Sequence, residues 1–185
     1  MSSVVAEYSF NESKYLFKYA PPEYKEKIVE FYSSMDDESI YYRFLSFFKD
    51  FESHVEKIFG EKNRLGFAMV CEDEGGEVVA VGETFSFNPN ISELAFIVKP
   101  EHRKRGLGTI MGALLVLGAH KRGIKQMEAY FHVDNEPAYR IGVKLGLKMK
   151  FEEDVYHGKA PIGEIYRIAL ENLREKGVRL FDENV

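Results

Sequence analysis

The stretch Val98-Lys-Pro-Glu-His-Arg-Lys-Arg-Gly-Leu-Gly-Thr109 gathers the residue types an anion site needs. Gly106 and Gly108 carry no Cβ, so a phosphate could come close to the backbone. Arg103, Lys104 and Arg105 put formal positive charge around the same turn. If a helix starts here, its first amides have no intrahelical partner and sit at the positive end of the helix dipole. The same residues also suit a solvated basic loop before an ordinary helix, and spacing alone leaves both readings open.

The flanking segments are those that would hold such a turn. Ile91 to Val98 alternates and is β-rich, which reads as a strand. Leu107, Ile110, Met111, Leu114, Leu115 and Leu117 recur at helical spacing, and Lys121-Arg-Gly123 supplies cations and a glycine stop. No Gly-Lys-Ser/Thr follows, so this is not a Walker loop. Ile110-Met111 stand where the dinucleotide fingerprint needs its third glycine.

Arg103-x-x-Gly106-x-Gly108 at a strand-to-helix junction resembles the acyl-CoA motif of the GNAT superfamily of N-acetyltransferases. Asn135-Glu-Pro-Ala138-Tyr-Arg-Ile141-Gly-Val-Lys144-Leu-Gly146-Leu147 resembles a second helix of that family. The two occur in the order and separation that fold requires. The resemblance implies an α/β (α+β) GNAT fold: a mixed central sheet of about six or seven strands flanked by helices.

A chain of 185 residues suits one domain spanning 1–185. The net charge of -5 argues against nucleic acid as partner, because phosphate binding wants a basic surface. One cysteine, Cys71, rules out a disulfide framework or a Cys-based zinc site and fits a reducing compartment. The start shows no signal-peptide pattern, and Ile110 to Ala119 is too short to span a bilayer. The expectation is a cytoplasmic protein with no membrane partner and no metal.

Tyr15 to Ala20 reads as the first strand, stopped by Pro21-Pro22, and Glu23 to Tyr32 as a helix. A second helix runs from Asp36 to Leu45, and a third from Ser53 to Phe59 with Ser53 and Glu56 spaced as a capping box. The aromatics of this region, Tyr41, Phe44, Phe47, Phe48 and Phe51, either pack a helical pair on the sheet or line an acceptor channel. Ser39-Ile-Tyr-Tyr-Arg-Phe44 resembles the opening of the bacterial and archaeal protein lysine acetyltransferase subgroup. Those enzymes often carry extra domains, so this chain would be a bare catalytic domain.

A hairpin follows: Leu65 to Glu72, a turn at Asp73-Glu-Gly-Gly76, and Glu77 to Asn88. Lys125 to Val133 is a further strand, and Asn135 or Asp134 caps the helix to Leu147. Met149 to Tyr156 and Ile162 to Leu170, joined by a turn at His157-Gly-Lys159, would close the sheet as an antiparallel pair. Glu171 to Val185 reads as a charged helical or irregular tail.

Acetyl transfer to an amine needs a neutral nucleophile, yet a lysine ammonium has a pKa of about 10.4. A carboxylate in a partly buried cleft can take that proton. Ser-Glu93-Leu-Ala-Phe-Ile-Val resembles the strand whose glutamate is the base in related lysine acetyltransferases, which makes Glu93 the catalytic candidate and Glu83 its reserve. The resemblance further implies that backbone atoms of Phe96, Ile97 and Val98 pair with the pantetheine of acetyl-CoA. It puts the pyrophosphate on Arg103, Lys104, Arg105, Gly106, Leu107, Gly108 and Thr109. Asn135 would hold the pantetheine arm, and Lys144 would reach the phosphorylated ribose.

Gly142 stands where many of these enzymes have a tyrosine proposed to protonate the leaving thiolate; Tyr139, a turn earlier, could substitute. A thiolate of cysteine-like acidity leaves with little help. Of His54, His102, His120, His132 and His157, only His132 ends a strand beside the expected site. The expected activity is acetyl-CoA-dependent acetylation of a primary amine, foremost a protein lysine. A small amine or polyamine acceptor, a non-catalytic acyl-CoA-binding module, and a homodimer remain open alternatives.

Overall fold

The structure, a computed structural model, describes residues 3–181. Its elements run β1 (Ser3–Phe10), β2 (Ser13–Ala20), α1 (Lys25–Ser33), α2 (Asp37–Phe44), α3 (Phe51–Ile58), β3 (Phe67–Glu72), β4 (Val78–Phe85) and β5 (Ser92–Val98). Then come α4 (Leu107–Lys121), β6 (Gln126–His132), α5 (Glu136–Leu145), β7 (Lys148–Glu152), β8 (Val155–Pro161), α6 (Ile162–Glu175) and β9 (Arg179–Leu180). Among the described residues the strands form one sheet in the order β7-β8-β6-β5-β4-β3-β2-β1-β9. Only β5 and β6 pair in parallel. The family-type mixed α/β sheet is as expected, but it has nine strands rather than six or seven.

Two layers of helix sandwich the sheet. On one face α4 packs against β4 and β5, with α5 and α6 beside it against β6 and β8. Its apolar surface extends almost all the way round because it has neighbours on both sides. On the other face α1, α2 and α3 cover a smaller core of Ile28, Phe31, Tyr32, Ile40, Val55 and Ile58 against Val70, Val81 and Ile97.

Several expectations need correction. Tyr15–Ala20 lies in the second strand; Ser3–Phe10 precedes it as a hairpin partner, turned by Asn11 at φ 53°. The closing hairpin is β7–β8 with its turn at Glu153-Asp154, where Glu153 takes φ 54°, so His157 is mid-strand. Ile162–Leu170 is helix: Ile162, Ile165, Ala169, Asn172 and Leu173 are buried at three-to-four spacing. Its β-branched residues suggested a strand, but the period decides. The third helix is capped by Asp50, whose Oδ1 accepts from the Ser53 amide, and not by Ser53. The tail continues α6 to Glu175 and then adds β9 to the outer edge; residues 182–185 lie outside the described residues.

Candidate active site

β5 and β6 are paired only at Ser92↔Met127 and Glu93↔Glu128. Beyond that rung β5 stays with β4 as far as Val98, while β6 stays with β8 as far as His132. The facing edges of the two strands therefore part, and the backbone of Leu94 to Val98 has no strand on that side. Phe96, Ile97 and Val98 all lie on this open edge, with the Val98 carbonyl already taken by Arg103 Nε at 2.9 Å.

Glu93 stands at the vertex of this opening. It lines a cleft of about 280 Å³ with Ala95, Arg43, Phe44, Leu45, His54, Phe85 and Tyr130. Burial pushes its carboxyl above the ordinary carboxylate value. The Arg43 charge opposes that rise, while the carboxylates of Glu128 and Glu83 add to it. A carboxyl with raised proton affinity in a cleft suits a general base.

Glu83, the reserve base, is set aside by its surroundings. Its side chain is 0% exposed. Oε1 accepts from Arg43 at 2.5 Å and from His54 Nε2 at 2.7 Å, and Oε2 accepts from the Tyr32 hydroxyl at 2.6 Å. Burial alone would raise its pKa, but the Arg43 guanidinium and the His54 and Tyr32 hydrogen bonds hold it below the ordinary value. A buried carboxylate that is ionised and fully bonded is a structural anchor. It fixes Arg43 at the floor of the cleft.

The Ser39–Phe44 stretch gains a physical meaning here. Asp36 caps α2 through the Ser39 amide at 3.1 Å, and the Ser39 hydroxyl accepts from Arg103 Nη2 at 2.8 Å. Arg43 holds Glu83, and Phe44 packs with Tyr32, Phe48, Phe51 and His54. The aromatics of this region divide among several settings. Phe48 and Phe51 pack the helices, Phe44 and Leu45 line the cleft, and Phe47 stands out in solvent against Tyr41.

The basic turn is built differently from its formula. Arg103 spends its guanidinium on Val98 and Ser39, and Arg105 Nη1 donates to the Tyr15 hydroxyl at 2.7 Å. That hydroxyl in turn donates to His102 Nδ1 at 2.8 Å, and Tyr8 donates to the Arg105 carbonyl at 2.7 Å. The arginines thus pin the turn to β1, β2 and α2, while Lys104 is exposed at φ 62°. Gly106 caps α4 in the left-handed region at φ 87°. A Cβ on Gly108 would lie 2.9 Å from Ile141 Cδ1 and 3.6 Å from the Phe96 ring, so this glycine serves the close approach of α4 to α5. The amides of residues 104–109 find no acceptor among the described residues. Leu107 is buried beneath them, and Thr109 is half-buried.

Asn135 caps α5 as expected, its Oδ1 accepting from the Ala138 amide. Lys144 is exposed on the far turn of α5, 3.9 Å from Glu175. A Cβ on Gly142 would fall 2.3 Å from Met149 Cε and 2.9 Å from the Phe131 ring, so packing against β6 and β7 leaves no room for a tyrosine at this position. Tyr139 packs against Tyr156, with ring centroids 4.4 Å apart and planes tilted by 47°. His132 lies against Tyr41 and Tyr42 and accepts from the Asp134 amide.

Sequence spacing missed His54, Glu128 and His157. Each acts through a partner across the fold: His54 on Glu83, and His157 Nε2 on Glu128 Oε1 at 2.7 Å. The one available signal was the strand alternation of Glu128, Tyr130 and His132, which puts all three on the face of Glu93.

A sequence profile of the GNAT acetyltransferase family matches residues 13–156. Among solved structures the fold is similar to the GNAT domain of S. lividans PAT, at 20% identity and TM-score 0.73 over 86% of this chain and 96% of that one. It is similar to a phosphinothricin acetyltransferase from Sinorhizobium meliloti in complex with AcCoA: 20% identity, TM-score 0.66, 80% and 88% coverage. A spermidine N-acetyltransferase from Vibrio cholerae in complex with CoA and spermine shares 15% identity at TM-score 0.66, with 83% and 98% coverage. Such identities carry the fold alone.

Proposed function

Because the chain belongs to the GNAT acetyltransferase family, we propose that it moves the acetyl group of acetyl-CoA to a protein lysine side chain, with Glu93 as general base. The observation that carries this reading is the position of Glu93. It sits where β5 and β6 part, in a cleft that also raises its proton affinity.

The pantetheine would lie along the open edge of Phe96, Ile97 and Val98 like an added strand, bonding the backbone groups still free there. The pyrophosphate would rest in the turn from Arg103 to Thr109, on the unpaired amides of Lys104 to Thr109, with Gly106 and the first turn of α4 facing it. Lys104 is the cation left free to approach it, because Arg103 and Arg105 hold the turn in shape. Asn135 would steady the pantetheine arm from the start of α5, and Lys144 would meet the ribose phosphate.

In the reaction the amine gives its proton to Glu93, directly or through one water, and its lone pair attacks the thioester carbonyl. The carbonyl oxygen takes up negative charge that backbone amides can stabilise. The C–S bond then breaks and the thiolate leaves; its cysteine-like acidity makes the missing tyrosine at Gly142 dispensable.

The protein-lysine acceptor is supported by the resemblance of the Ser39–Phe44 stretch to the protein lysine acetyltransferases, with Arg43 and Phe44 lining the cleft. Incubation with acetyl-CoA and a native lysate, read by mass spectrometry, is expected to acetylate lysines on a discrete set of proteins. Acetyl groups on spermidine or phosphinothricin alone would move the reading to a small-amine enzyme.

A further inference from the structure

Glu128 lies beside Glu93 at the last shared rung of β5 and β6, so the two side chains project from the same face of the sheet. Glu128 is not adrift there. His157 Nε2 holds its Oε1 at 2.7 Å, the Tyr130 hydroxyl donates to the same oxygen at 3.3 Å, and the Tyr130 and His157 rings stack 4.4 Å apart. Tyr130 in turn lines the cleft. Arg43, at the floor of the same cleft, has a side chain 7% exposed and an Nε with no acceptor among the described residues.

Resting on the acetyl-transfer reading above, we propose that Glu128, held in place by His157 and Tyr130, anchors the ammonium group of an aliphatic amine acceptor so that Glu93 beside it takes the proton. The two carboxylates divide the work through their surroundings. Glu128 is already engaged by His157 Nε2 on β8 and by the Tyr130 hydroxyl. Glu93 is half-buried and has no hydrogen-bond partner among the described residues, so its oxygens are open to take the proton. The amine nitrogen thereby gains a free lone pair, Glu93 becomes a neutral acid, and no other bond has changed.

The groups that face Glu93 come from several elements: Arg43 of α2, His54 of α3, Glu83 of β4, Glu128 and Tyr130 of β6, and His157 of β8. Of these, Glu128 is the carboxylate at its own rung and the one without an arginine partner. A site of this kind selects amines that are cationic at neutral pH and gives no advantage to a neutral arylamine.

The test uses the full chain with acetyl-CoA and three acceptors: a lysine-containing peptide, spermidine, and aniline as the uncharged comparator. Glu128→Gln keeps the shape and the Tyr130 bond. It is expected to raise KM for the peptide or spermidine by about tenfold, with KM for acetyl-CoA unchanged. It should also move the acidic limb of kcat/KM to lower pH, because a negative neighbour of Glu93 has gone. His157→Gln, which still donates to Glu128, should shift KM less than His157→Phe. Unchanged amine KM and pH profile in Glu128→Gln, alongside an inactive Glu93→Gln, would overturn the anchor while leaving acetyl transfer standing. A wild type that acetylates none of the amines would overturn both.

Discussion

Arg43 is shared between two carboxylates of opposite character: it is bonded to Glu83 at 2.5 Å, and it lines the cleft beside Glu93. Glu83 is saturated and held ionised; Glu93 has no hydrogen bond among the described residues and is pushed toward its neutral form. The distinction between structural and chemical carboxylate lies in these partners and not in residue type.

Glu93 titrates above the ordinary carboxylate value, so it loses its proton only as the pH rises past that range. The kcat/KM profile should therefore climb through an acidic limb whose midpoint lies above 4.5 and disappear from that position in Glu93→Gln. A profile flat through that range would separate Glu93 from the proton transfer.

Glu83 behaves in the opposite sense. Its folded pKa is depressed, so its contribution to stability is present above the unfolded value of 4.5 and is lost as pH falls through the folded value. Glu83→Ala leaves Arg43 buried without its partner and should cost about 3–5 kcal/mol in denaturant unfolding at pH 7. The cost should shrink below pH 4.5. A variant as stable as the wild type would contradict the anchoring role.

The Tyr15 hydroxyl joins Arg105 to His102, so Tyr15→Phe removes both ties while leaving the ring buried. Calorimetry should show CoA binding weakened by about threefold to tenfold as the turn loosens. Unchanged affinity would mean that the turn holds its shape without β2.

Gly142→Tyr tests whether a general acid was lost from the site or shut out by packing. The ring would have to displace Phe131 and Met149. Thermal unfolding should show a loss of about 1–3 kcal/mol with no faster turnover. A stable variant with higher kcat would show that the position can serve a thiolate acid.

Much of this was legible in the residues because it is local. The strand, the turn and the start of α4 all lie within a few residues of Gly106, and Asn135 caps the helix it precedes. The Glu83 cluster was hidden because its partners stand 29 to 51 positions away and meet only through sheet order. β1 was missed because Ser3–Phe10 has weak alternation and a bulge near Val4, so its burial comes from pairing rather than pattern. The arginines of the turn were read as ligand contacts because charge in a glycine loop suggests an anion; their ties to Val98, Ser39 and Tyr15 depend on distant elements and were not legible.

The most direct test of the account compares Glu93→Gln with the wild type in steady-state acetyl transfer, with CoA affinity measured on both by calorimetry. The prediction is a fall in kcat of about 100-fold or more with CoA affinity unchanged. Near-normal turnover in the variant would contradict the account.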